Sequence, residues 1–587
     1  MLKNLIYTVE RFIKSQAKID SCVCFLGIIL GGVDLVSNAF LAIIASVIIM
    51  KCDAVRSFWY IATLLFLYFL IRILNFHINK KIEKLSLNFR YNEISNIASK
   101  ILKTNYEKLQ GEEEQNHIAG AYYAVLSGSN AGIEFHVNET YRLLSNMLAF
   151  LIVLIPGTII FPQETLIILF CNVLLLFFLN RKTKVDAILT KEINNAKTKA
   201  KNVLKQSVDK KNNSDIYLYD IQGWLFDRYD ERRKQQFKIE NRQYQKSLIY
   251  SVLTVVVSVS LFSYSLWVIQ NTEYIDGIVA YVYLLVNMTA MCKQVYLHLA
   301  NIVNNNNFIE EWRAYCEENI DKSVESIFIS DIESVRFEDI SYSVYGKKNI
   351  INKVSLEIKK GEKIAFVGRN GAGKTTLIKI LLGLIQPTEG KIFVNGSPVS
   401  YDEYSSLVSK FGYIPQENSI FAFSVATNII LGKYNDSLTN SINNAMLRVG
   451  IKDVVNKLSK KENTYIGREL DEDGIEFSGG EKRKLLIARG MYHNREINIY
   501  DEPTSSLDSK SERDFYEQIE KESENFISIF VSHRIGTTNF CNIVYVLQNG
   551  KIVQKGNGEE LLNVDGVYKE LFESQIMETS YEKSSLN

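Results

Sequence analysis

Residues 368–375 read GRNGAGKT, and their spacing fits G-x-x-x-x-G-K-[ST]. The flanks suit that pattern: IAFVG before it predicts a short apolar strand, and TTLIKILLGL after it has helical periodicity. Gly371 and Gly373 let the backbone turn tightly, so that successive N–H groups and the positive end of the following helix face a phosphate chain. Lys374 is expected to reach the β and γ phosphates of ATP, and Thr375 to place its hydroxyl on Mg2+. The whole loop, Gly368, Arg369, Asn370, Gly371, Ala372, Gly373, Lys374, Thr375 and Thr376, is the candidate nucleotide contact. A glycine-rich corner that merely joins strand to helix is the alternative, and the motifs downstream argue against it.

The chain has 587 residues, room for two or three domains. With 67 basic and 66 acidic residues its net charge is +1, so nothing global points to nucleic acid and no such partner is expected. The 47% hydrophobic content is unevenly spread, with nearly all long apolar runs before residue 303. Seven cysteines form no C-x-x-C pair and read as small hydrophobes of a reducing compartment. No signal-peptide pattern opens the chain, since the first apolar run, from about residue 22, is too long for one.

Apolar spans at about 22–50, 57–78, 143–161, 165–179, 247–269 and 277–302 predict six membrane crossings. The fourth is short and the third carries Pro156. Residues 1–19 alternate apolar and basic positions, which suits an amphipathic helix at the inner membrane surface. Segments 79–142 and 181–246 are charged yet helical in composition, so each reads as two helices leaving the membrane and turning back. The turns, NYEKLQGEEEQ at 105–115 and KNNSDIYLYDIQGW at 211–224, are the candidate contacts to the C-terminal half. Seventeen Lys or Arg in 181–246 place the hairpins and both termini in the cytoplasm, although Lys51 and Arg56 run against the trend. Asp34, Arg72 and Lys293 are charges within spans, and Asp34 is expected to face the bundle interior or water. Asn38, Asn146, Asn172, Asn287 and Gln294 either line a pathway or bond to neighbouring helices.

From residue 303 the composition turns polar, and strands alternate with helices from about Ser334 to 575. The expected domains are 1–318, a polytopic α-helical membrane domain; 319–333, a linker; 334–575, an α/β nucleotide-binding domain; and 576–587, a tail. Four more motifs fall at sensible spacing in the third of these: FGYIPQENSIF, FSGGE, INIYDE followed by SSLD, and FVSHR.

With these motifs the chain resembles the ATP-binding cassette (ABC) exporter family, as a half-transporter, over nearly its whole length. The resemblance implies that Gln416 senses Mg2+ and the γ-phosphate, and that Ser478, Gly479 and Gly480 open the signature helix that binds the γ-phosphate held by a second subunit. It implies that Asp501 holds Mg2+ through water, Glu502 polarises the attacking water, Asp508 belongs to the D-loop and His533 is the switch histidine. For the aromatic that stacks on adenine Tyr345 is the choice, because the usual register nearly fits, although the strict register falls on Val344 and Tyr342 is also available. Phe477 and Glu481 replace the usual Leu and Gln of the signature, and Asn498 interrupts a strand that is usually apolar.

Two chains are expected per functional unit, because Walker A and signature surfaces of one chain cannot meet; a homodimer comes first, a heterodimer second. The expected activity is ATP-driven export across the cytoplasmic membrane. Signature flanks such as DEDGIEFSGGE look similar to exporters of modified peptides and bacteriocins, while lipid or drug export fits the motifs equally. No room for a leader-trimming protease domain is read ahead of the first span, so leader removal is expected of another protein. A membrane-bound regulator that binds ATP without transport is the alternative of another class, and an intact Glu502 weighs against it.

Overall fold

The computed structural model describes residues 2–16, 18–51, 54–160, 162–209, 212–271, 275–318, 331–343, 349–416, 419–504, 509–522, 526–532 and 535–574. They form two compact units, one of Met1–Thr104 with Glu112–Ile320, the other of Asn105–Gly111 with Asp321–Asn587.

The first unit is helical. Its long elements are Lys18–Lys51, Ala54–Lys103, Gly132–Ile160, Pro162–Val208, Gln222–Asn271 and Ile275–Glu317. Five segments among the described residues are long and apolar enough to cross a membrane: Asp20–Ser37, Val55–Lys103, Gly132–Ile159, Thr165–Asp186 and Gln222–Leu261. The sixth expected span lies in Ile275–Glu317, whose side chains up to residue 285 fall outside the described residues. A 50-residue helix such as Ala54–Lys103 is about 75 Å long, more than twice the roughly 30 Å of hydrocarbon it would cross. Each such helix therefore carries a polar half beyond the apolar one, as the two long charged segments require.

The returning arm of the first hairpin differs from the expected single helix. It breaks between Glu112–Leu126 and Gly132–Ile160. Gly132 adopts φ 79°, and a Cβ there would stand 1.8 Å from the Ala124 carbonyl oxygen, so only glycine closes this corner. Asn305 then bridges the break, accepting from the Gly132 N–H and donating to its carbonyl, both at 2.8 Å. The N-terminal helix, Leu2–Ser15, is also more than a surface float. It buries Asn4, Thr8 and Phe12 in the bundle, and Arg11 pairs with the buried Glu93 at 2.9 Å. Asn146 and Asn172 each donate to the carbonyl one turn back on their own helices. The side chain of Asn38 lies outside the described residues.

The second unit contains two sheets. Strands β1 (Ser334–Ser343), β2 (Asn349–Lys359), β4 (Glu389–Val394) and β5 (Ser397–Val399) form an antiparallel sheet in the order β2-β1-β4-β5. Strands β3 (Lys363–Val367), β6 (Phe411–Ile414), β7 (Ile497–Asp501), β8 (Ile527–Val531), β9 (Ile543–Gln548) and β10 (Lys551–Gly556) form the other, ordered β10-β9-β3-β8-β7-β6. All of these neighbours are parallel except β9 and β10. Strands β7 and β8 are buried at every position, which is why they read as near-continuous apolar runs. Parallel strands end at the same edge of a sheet. The segments that follow β3, β6, β7 and β8 are therefore delivered to one place, and those segments hold the motifs.

The interruption at Asn498 is accommodated by its neighbour. Asn498 faces Gly412 of β6 in the parallel ladder, and a Cβ on Gly412 would come within 2.4 Å of the Asn498 Oδ1. The Asn498 amide donates to the Arg495 carbonyl at 2.7 Å, so a polar side chain is satisfied inside the strand layer.

Candidate functional site

The loop after β3 is shaped for an anion. Gly371 and Gly373 have φ of 80° and 103°, left-handed values that side chains disfavour. A Cβ on Gly368 would lie 2.3 Å from the Leu547 carbonyl oxygen, so the loop runs too close to β9 for any larger residue. The helix Lys374–Leu381 starts without a side-chain cap, which leaves its first N–H groups directed at the loop's concavity. Lys374 Nζ donates to the carbonyls of Gly368 at 2.6 Å and Arg369 at 3.3 Å. Burial pulls the Lys374 pKa down, and the carboxylates of Glu502 and Asp501 oppose that shift. Glycines that cannot be replaced, an uncapped helix end and a partly desolvated lysine together fit a polyphosphate. Arg369 reaches outward, 3.5 Å from Glu570.

Two strands away, Asp501 ends β7 and is buried. Desolvation raises its pKa, while the Tyr413 hydroxyl, which donates to its Oδ2 at 3.2 Å, works in the other direction. Glu502 is the next residue and sits at φ 47°. A glutamate in the left-handed region costs on the order of 1 kcal/mol or more, which the bonds around it must offset. Its N–H is held by the Val531 carbonyl at 2.9 Å. Gln416, which leaves β6, donates Nε2 to Glu502 Oε2 at 2.8 Å. The sheet thus brings Lys374, Asp501, Glu502 and Gln416 to one edge, with carboxylate and amide oxygens suited to a hard divalent cation.

The signature residues lie elsewhere in the unit. The helix Gly479–His493 is opened by a capping box: Ser478 Oγ accepts from the Glu481 N–H at 3.3 Å, and Glu481 Oε2 accepts from the Ser478 N–H at 2.8 Å. Glu481 therefore does the structural work expected of the usual Gln. A Cβ on Gly479 would meet nothing within 4 Å, so this helix end is open. Phe477 is buried in a cluster with Val425, Ile429, Met446 and Leu485, separate from the cluster that holds Ala372 and Leu377 of the phosphate loop.

Tyr345, Asp508 and His533 lie outside the described residues. Tyr342, the other aromatic considered for adenine, packs against the core of the sheets. Three contributors escape a motif search. Arg483 reads as part of a solvated KRK run but is fully buried, and Tyr413 looks like an ordinary strand aromatic. The third is the turn Asn105–Gly111, which packs with this unit: Glu107 Oε2 accepts from the Gln386 N–H at 3.0 Å, and Lys379, on the phosphate-loop helix, lies 5.7 Å from the Tyr106 ring centre. In the other turn Tyr217, Leu218 and Tyr219 are exposed.

Comparison with known proteins agrees with this geometry. The family model described as ABC transporter matches residues 351–505. The chain is 32% identical over 243 residues to the mitochondrial iron-sulfur clusters transporter ABCB7 of Danio rerio, covering 41% of this chain and 32% of that protein. It is 30% identical over 247 residues to an ATM1-type heavy metal exporter of Novosphingobium aromaticivorans, covering 42% and 40% respectively. The match thus spans well under half the length of these curated relatives. The solved structure of a bacterial Atm1-family ABC exporter with ATP bound superposes with a TM-score of 0.79 at 18% identity, covering 96% of this chain and 99% of that one. The chain carries an ATP-binding domain of the ABC transporter family, set in a polypeptide with the fold of an ABC half-transporter exporter.

Proposed function

We propose that this chain is an ATP hydrolase coupled to export across the cytoplasmic membrane, working as a dimer, with a homodimer as the first reading. The observation that carries the reading is the convergence of Lys374, Asp501, Glu502 and Gln416 at one edge of the parallel sheet, with Gln416 on Glu502 at 2.8 Å. The loop Gly368 to Thr376 and Lys374 bind and orient the triphosphate. Thr375, Gln416 and Asp501 would hold Mg2+, whose charge neutralises that of the phosphates. Glu502 accepts the proton of the attacking water, and Gln416 fixes the carboxylate's orientation. Ser478, Gly479 and Gly480 are read as closing the site of the other copy, as the family resemblance implies, with the open helix end at Gly479 in keeping with that role. Asp508 and His533 keep the D-loop and switch roles that the family resemblance implies. Turnover then reaches the helical unit through the turn at Asn105–Gly111, which rests against the phosphate-loop helix.

The exported class is read from the signature flanks as a modified peptide. A second reading, export of a heavy metal, is favoured by the similarity to the Novosphingobium aromaticivorans heavy metal exporter. Lipid and drug export remain the other arms of the test. The full chain in liposomes is assayed for Mg-ATP turnover with peptides, heavy-metal ions, lipids and hydrophobic drugs in turn. Stimulation and vesicle accumulation by one class identifies it. A reconstituted protein that binds ATP but turns none over would replace the exporter reading with that of a regulator.

A further inference from the structure

The ladder between β6 and β7 ends at the pair Ile414 and Tyr500. Pro415 follows and has no N–H with which to continue it. Beyond that point the two segments are joined by a side chain from a third element, Arg483 of the helix Gly479–His493. Its Nε donates to the Pro503 carbonyl at 2.8 Å. One Nη donates to Pro415 and, at 3.4 Å, to Gln416; the other donates to Asp501 at 2.8 Å and Glu502 at 2.7 Å. A guanidinium has five N–H groups in a planar fork, and here each meets a main-chain carbonyl. Lysine has three donors and glutamine two, so neither can make this set of bonds. A charge buried against neutral carbonyls is a costly way merely to fill space. The five carbonyls belong to residues 415–416 and 501–503, the two turns that present Gln416 and Glu502.

We infer that Arg483 is a positioning residue for ATP hydrolysis: it fixes the Gln416 turn to the Glu502 turn and ties both to the helix that begins at the signature. The inference rests on the roles of Gln416 and Glu502 proposed above. Movement of the signature helix is thereby felt at the amide-carboxylate contact, without Arg483 touching nucleotide.

The test uses the full chain in liposomes, with Arg483→Lys, Arg483→Gln, Gln416→Ala and the double variant Arg483→Lys/Gln416→Ala. Binding is read with a fluorescent trinitrophenyl ATP analogue and turnover by phosphate release. Arg483→Lys should lower kcat at least about tenfold, as sub-ångström misalignment does, with KM held within about threefold. Adding Gln416→Ala to it should then cost less than about twofold more in kcat, because the alignment is already lost. Multiplicative losses in the double variant, or wild-type kcat in Arg483→Lys, would overturn the inference. So would loss of folded protein in both Arg483 variants, which would make the role purely structural. If the wild type itself turns over no ATP, the proposed function fails separately. Hydrogen exchange in Arg483→Lys then decides the tie: the Gln416 amide opening together with those of Asp501, Glu502 and Thr504 supports it, and either group opening alone refutes it.

Discussion

Gln416 Nε2 lies 2.8 Å from Glu502 Oε2, which joins the turns that follow two adjacent parallel strands through their side chains. Glu502 also occupies a left-handed conformation that its carbonyl bond to Arg483 and its N–H bond to Val531 hold in place. A carboxylate so fixed suits a general base. Glu502→Gln preserves shape and can still accept from Gln416, so nucleotide binding should stay within a few-fold of wild type. Turnover should fall by about 10² to 10⁴. Phosphate release and nucleotide affinity measured on one preparation check this, and normal turnover in the variant would refute the assignment.

Lys374 sets a second expectation. Its ammonium is bonded to two carbonyls of its own loop, so nucleotide binding exchanges those acceptors for phosphate oxygens. A charge-assisted bond of this kind contributes about 1.5–3 kcal/mol. Lys374→Ala should therefore weaken ATP binding at least about tenfold. Lys374→Arg should not restore it, because a planar guanidinium cannot take the place of a compact ammonium that bonds the Gly368 and Arg369 carbonyls together. Equal affinity in wild type and Lys374→Ala, by equilibrium titration, would remove the lysine from the site.

Much of this was legible in the sequence because phosphate chemistry constrains residue type and spacing together. GRNGAGKT requires glycines at fixed offsets, and the structure gives Gly371 and Gly373 the left-handed backbone that the motif implies. The long helical hairpins were legible from length and composition together, since a structureless segment of about sixty residues is improbable in a compact chain and these two are helical in composition. Arg483 was not legible. Lys482, Arg483 and Lys484 look alike in a sequence, and only the helix phase relative to β6 and β7 sends the middle one inward. The break at Gly132 was hidden because helix propensity is a local quantity, whereas the partner that completes the corner, Asn305, is 173 residues away. Asn498 looked like a flaw in a core strand for the same reason, its compensation lying in Gly412 on the neighbouring strand.

That compensation is open to test. Gly412→Ala forces a methyl group to within 2.4 Å of Asn498 Oδ1, and overpacking of this kind costs about 1–3 kcal/mol. The apparent melting temperature of the purified chain should fall by several degrees, at roughly 2–4 °C per kcal/mol for a domain of this size. Asn498→Ala in the same molecule removes the clashing oxygen and should recover a large part of the loss. Strict additivity of the two changes would mean that the residues do not share the space as described.

The ion pair in the apolar helices gives an asymmetric prediction. Asp34 is buried; one of its oxygens lies 3.0 Å from Arg72 Nε and the other accepts from Asn75 at 2.7 Å. Arg72 is 45% exposed at its side chain and also bonds to the Tyr68 hydroxyl at 2.8 Å. Removing the arginine strands a buried carboxylate, whereas Asp34→Asn keeps an acceptor for Asn75 and leaves the Arg72 guanidinium bonded to the Tyr68 hydroxyl. Arg72→Ala should therefore destabilise the chain by about 3–5 kcal/mol. Asp34→Asn, which keeps the bond to Asn75, should cost less than half as much. Combining Asp34→Asn with Arg72→Leu should bring stability back toward wild type, since neither charge then needs a partner. Thermal unfolding of the detergent-purified full chain measures all three. A larger loss in Asp34→Asn than in Arg72→Ala would show that the carboxylate serves something other than this pair.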